Sequence, residues 1–94
     1  MAEEHVVAAL DAQRRRIDAI DEQLVALLNA RASCAQAIGH LKKTAGLPVY
    51  QPTRESEVLE HVQRVNLGPL DNGAIKRLFE RIIDEARRLE RLVE

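Results

Sequence analysis

Aromatic side chains are nearly missing: the 94 residues hold one Tyr, one Phe and no Trp. Base-stacking platforms are thereby all but excluded, and any core must be aliphatic. A surplus of one charge is missing as well. Fourteen Lys and Arg face fifteen Asp and Glu, a formal net charge of −1, where a nucleic-acid binder would carry a clear basic excess. No nucleic-acid partner is expected. Cys34 is the single cysteine, so no internal disulfide can form, and His and Cys do not recur at metal-ligand spacing. A reducing, cytoplasmic setting without a metal or other cofactor fits. No apolar run approaches the ~20 residues of a membrane span, and Met1-Ala2-Glu3-Glu4 is acidic where an export signal would be basic. A soluble chain with no membrane partner is expected, forming one small domain over 1–94, near the size at which one chain struggles to bury a core.

What is present is helical patterning. Gly and Pro cluster at Gly46/Pro48/Pro52 and at Gly68/Pro69/Gly73, dividing the sequence into three segments. In the first, Leu10, Ile17, Leu24, Arg31 and Ile38 recur every seven residues, with Ile20, Leu27, Cys34 and Leu41 as the companion series. This heptad seam predicts one very long helix over about 5–44, closed by Gly46. At about 1.5 Å per residue it would run roughly 60 Å, twice the ~30 Å diameter of a compact chain of this size. Its protruding apolar half needs a cover that this chain is too short to supply, and an intertwined homodimer is the economical answer. A short helix over about 54–65, capped by Thr53, carries Val58, Leu59, Val62 and Val65. A medium helix over about 72–93, capped by Asp71, carries the stripe Ile75, Leu78, Phe79, Ile82, Ile83, Ala86, Leu89 and Val93. The expected fold is all-α with no strand.

Several charges fall where apolar residues belong. Arg31 occupies a seam position, and burying a guanidinium without an anion is strongly unfavourable. Lys42, eleven residues on, points to nearly the same face about 16 Å away, leaving room for a small anion between the two. Arg14 lies roughly 25 Å back along the rod, but antiparallel pairing would bring a partner's Arg14 beside Arg31 and Lys42. The plainer alternative makes Arg14 and Lys42 solvated flank charges and pairs Arg31 with a partner's Asp21 or Glu22. Glu90 falls on the buried stripe of the third helix, while Glu80, Asp84, Arg87, Arg88 and Arg91 cover its outer face. An apolar wall favours the protonated, hydrogen-bond-donating carboxyl, and neighbouring Lys42 and Arg31 favour the carboxylate; fraying of the helix end is the alternative. Arg54 and Glu55 fall in the first turn of the second helix, where helix-dipole stabilisation alone accounts for Glu55. His5, His40 and His61 share no spacing and read as surface residues, and Cys34 reads as a small core side chain.

Taken together, Arg14-x-x-Ile17-Asp18-x-Ile20-Asp21-x-x-Leu24-x-x-Leu27-Leu28-x-x-Arg31, then Ile38-Gly39-x-x-Lys42, Gly46-Leu47-Pro48-Val49, Arg54-Glu55 and Gly68-Pro69-Leu70, resemble the all-helical (AroQ-type) chorismate mutase family over nearly the whole chain. The resemblance implies a domain-swapped homodimer of three-helix subunits with two equivalent sites. Each would convert chorismate to prephenate by a [3,3] Claisen rearrangement, on the branch leading to phenylalanine and tyrosine. It further implies that a partner's Arg14 and Arg31 clamp the two carboxylates. Lys42 would bind a carboxylate and the ether oxygen, Glu55 would accept from the ring hydroxyl, and Arg54 would support that wall. Three positions depart from the usual pattern: Gln51 stands where Asp is frequent, Ala86 where Ser is frequent, and Glu90 where Gln is usual. On this resemblance Lys42, Glu90 and Arg31 are the catalytic candidates, and Arg14, Gln51, Arg54, Glu55 and Ala86 complete the substrate site.

A unimolecular rearrangement suits the inventory, since its site must hold one conformer and stabilise charge on the ether oxygen. The rival readings are an isochorismate-pyruvate lyase on the same scaffold, a noncatalytic helical dimerisation or regulatory module that binds an enzyme of the aromatic pathway, and a plain coiled-coil adaptor.

Overall fold

The structure, a computed structural model, describes residues 2–92. Val93, assigned above to the third helix's stripe, lies outside the described residues. Among the described residues there are three helices, which make up most of the chain: α1 (Ala2–Ala45), α2 (Pro52–Val65) and α3 (Asn72–Arg91). Among the described residues there is no strand, so the architecture is all-α as the sequence implies. The chain divides into two compact units, Met1–Arg31 and Ala32–Glu94.

The first unit is α1 as far as Arg31. Glu3 and Glu4 occupy its first turn and complement the positive helix end, so the helix starts a little before the expected residue 5. Apart from Ala12 and Arg31, its described residues are exposed, and they include the seam side chains Leu10, Ile17, Ile20 and Leu24 at 48–53%.

In the second unit α2 and α3 pack on one another. The half-buried face of α2 is Val58, Leu59 and Val62, while Val65 is exposed. On α3, Ile83 is buried and Ile75, Phe79, Ile82, Ala86 and Leu89 are half-buried, but Leu78 is exposed. The stretch of α1 in this unit buries Ala35 and Gly39, one small-residue edge that continues to half-buried Lys42. That edge is one position off the heptad seam, so Cys34, expected in a core, is exposed along with Ile38 and Leu41. The seam is left without cover inside this unit too.

The helix ends explain the loops. α1 closes with the backbone pattern in which Leu47 N donates to Lys42 O (2.8 Å) and Gly46 N to Lys43 O (3.3 Å), Gly46 taking φ 70°. That left-handed conformation suits glycine and ends the helix one turn after Lys42. α2 starts one residue before the expected Thr53: Pro52 supplies a ready φ and lacks the N–H that would be unsatisfied, and extended Gln51 precedes it without a side-chain cap. Thr53 is therefore inside the helix and is not the cap. Asp71 does cap α3, accepting from Ala74 N at 2.7 Å.

Candidate active site

The site candidates of the second unit gather around two cations. Lys42 lies in the last turn of α1, and the Gly46 reversal turns the chain so that Val49 O comes within reach. Lys42 Nζ donates to Val49 O at 3.0 Å and to Glu90 Oε2 at 3.0 Å. The Lys42 and Glu90 side chains are only 13% and 12% exposed, which screens the pair less than a surface pair. An ammonium has three N–H donors, and these two acceptors leave the third for an incoming acceptor. Glu90 is the misfit on α3 that periodicity identified, and it is not a wet residue at a fraying end. Here it accepts from Lys42, one of the two cations considered above as its neighbours.

The second cation is Arg87, which the sequence reading put on the outer face of α3. That reading is corrected: Arg87 is half-buried, its Nη2 donates to Glu55 Oε1, and its guanidinium stands 4.9 Å from the centroid of the Tyr50 ring. Its spacing carried the signal. Arg87 follows Ile83, the buried residue of α3, by four positions and precedes Glu90 by three, so all three share a face. Glu55 is half-buried on α2 and held by Arg87 from α3, so it has an ion-pair role beyond the helix-end stabilisation considered above.

Other candidates are placed less tightly. Gln51 is half-buried at the start of α2, where its carbonyl accepts from Glu55 N at 3.2 Å. Ala86 is half-buried beside Arg87 on α3. Arg54 is exposed and pairs along its own helix with Glu57 at 3.4 Å, turned outward rather than supporting a wall of the cluster. In the first unit, Arg14 is exposed and lies 3.9 Å from Asp11. Arg31 is half-buried and joins no ion pair among the described residues. His5, His40 and His61 are exposed, as expected. Among the described residues there is no cluster of metal-ligating side chains and no helix long and apolar enough to cross a membrane.

Half-buried cations and carboxylates on an all-helical frame, with a lysine donor already oriented, have the chemistry to hold a small anion carrying further polar groups. The family follows from comparison. The family model for chorismate mutase type II matches residues 13–91, and the chain belongs to that family. It is 45% identical over 86 residues to a bifunctional chorismate mutase/prephenate dehydratase from Pseudomonas aeruginosa, covering 86% of this chain and 24% of that protein. The chain thus spans about a quarter of the length of the curated relatives it matches. In structure it is similar to a chorismate mutase from Thermus thermophilus, with a TM-score of 0.87 and 34% identity over 88% of this chain and 94% of that one. A Helicobacter pylori chorismate mutase in complex with prephenate matches with a TM-score of 0.82 and 26% identity, over 89% of this chain and 91% of that one.

Proposed function

We propose that this chain is a chorismate mutase that isomerises chorismate to prephenate. The observation that carries the reading is the Lys42 ammonium held at 3.0 Å from both Val49 O and Glu90, in a member of this family. In the rearrangement one C–O bond breaks as one C–C bond forms within a single molecule. No proton, electron pair or leaving group passes to the protein. What the chain supplies is a conformer trap and positive charge at the ether oxygen as cleavage runs ahead of bond formation. Lys42 turns its free N–H to that oxygen, Arg31 binds a carboxylate, and Glu55 accepts from the ring hydroxyl. Gln51 and Ala86 complete the substrate site. Glu90 stands beside Lys42 as the further catalytic group and holds that ammonium in place. A rate enhancement near a million-fold requires about 8 kcal/mol of differential stabilisation, within the range of a few preorganised charge-assisted contacts.

The active form is an intertwined homodimer in which Arg14 of the second copy completes the site. Its support is the uncovered seam: Leu10, Ile17, Ile20 and Leu24 are about half exposed, and covering what remains of each stabilises by about 1 kcal/mol, half the value for burying a fully exposed side chain. The setting is the cytoplasm, and the prephenate formed there passes to a dehydratase, the second activity in the name of the Pseudomonas aeruginosa relative.

The test is loss of chorismate absorbance, which one Tyr and no Trp scarcely obscure. Arg14→Ala and Arg31→Ala chains should each be inactive, and mixing them should restore one competent site per heterodimer. No recovery after proven subunit exchange would overturn the shared site; an inactive unmodified chain would overturn the activity itself.

A further inference from the structure

Arg87 differs from its neighbours on α3. Arg88 is 75% exposed and lies 3.7 Å from Glu85 of its own helix. Arg87 is 25% exposed and meets groups from three elements: Tyr50 of the α1–α2 loop, Glu55 of α2 and Asp84 of α3, the last at 3.6 Å. A cation within about 6 Å of a ring centroid is attracted to the ring face, so the Tyr50 contact at 4.9 Å backs the guanidinium while Glu55 holds its front. The ion pair engages Glu55 Oε1, and among the described residues nothing donates to Oε2. A carboxylate has two oxygens with about four lone-pair sites, so the pinned group still has an oxygen to offer.

We propose that Arg87 is a positioning residue. It fixes the Glu55 carboxylate through Oε1, with Tyr50 as backing, so that Oε2 is set in advance to accept from a substrate hydroxyl. This rests on the chorismate mutase reading above. A long flexible carboxylate left to itself would have to be ordered during each turnover; an acceptor already ordered is felt as transition-state stabilisation. Arg87 itself touches no substrate in this account.

The experiment is a double-mutant cycle on the full chain: Arg87→Leu, Glu55→Ala and both together, with Arg87→Lys as the conservative variant. Each is read as kcat and KM for chorismate and as Tm. Arg87→Leu should lower kcat about tenfold with KM nearly unmoved, the pattern of an interaction realised in the transition state. Arg87→Lys should recover part of that loss, because it keeps the charge but not the planar fork. In the Glu55→Ala background, Arg87→Leu should have no further effect on kcat, since coupled residues are not additive. Where Arg87→Leu does not fold, Arg87→Gln takes its place with the same expectation. A lower Tm with unchanged kcat, or losses that add across the cycle, would overturn the proposal while leaving the mutase reading intact. An unmodified chain without turnover overturns both.

Discussion

The two units of this chain use the same residue types to opposite effect. Residues 2–31 place leucine and isoleucine on a regular seam and leave them about half exposed, while their charges, such as Arg14 with Asp11, pair loosely along the helix surface. The second unit draws charges inward: Lys42, Glu90, Glu55 and Arg87 are each at most about a quarter exposed. The described residues of the first unit form a single helix with no second element packed on it inside the unit. The second has α2 packed on α3 and a buried Ile83, and so holds its charged groups in defined contacts. On the proposed function, the apolar residues of the first unit serve association and the polar residues of the second serve chemistry.

That contrast is broken most severely by Leu24→Glu. In the proposed homodimer an unpaired carboxylate buried on the seam costs several kcal/mol, so sedimentation should show dissociated chains and the chorismate assay no turnover; an intact, active assembly would mean the seam is not an interface. Lys42→Ala strikes the second unit alone. It removes the oriented donor and leaves Glu90 without its cation, and turnover should fall roughly 10²–10³-fold while sedimentation is unchanged. Gly46→Ala sharpens the link between chain reversal and site: a side chain at φ 70° destabilises by about 1 kcal/mol, a Tm decrease of several degrees visible by circular dichroism. At the small end, Arg81→Ala removes an exposed 2.8 Å pair with Glu85 and should leave Tm within about 1–2 °C, because such pairs contribute a few tenths of a kcal/mol.

Helix content and count were legible because heptad and amphipathic spacing are local properties, interrupted only at the Gly/Pro clusters. Lys42 was legible as a charge on the face of the seam residue Arg31, and Glu90 as a polar residue in an apolar series; the 3.0 Å contact joins the two. Arg87 was missed because several arginines crowd the end of α3, and assigning charges to the outside in bulk hides the one that follows a buried isoleucine by four residues. Thr53 was misjudged because two helix starters stand side by side, and proline's fixed φ prevailed over a hydroxyl cap. Cys34 was misjudged because the heptad seam was taken for the core, whereas the edge buried within the chain is the small-residue line of Ala35 and Gly39.

Periodicity and the positions of glycine and proline determined by themselves that the chain is three helices with a charged series set into apolar ones, since each depends on residues a few places apart. Which carboxylate meets which cation was decided only by the tertiary structure. Glu55 and Arg87 are 32 residues apart and Lys42 and Glu90 are 48 apart, and nothing local in a chain records a contact that exists only once the helices and loops between have brought the two ends together.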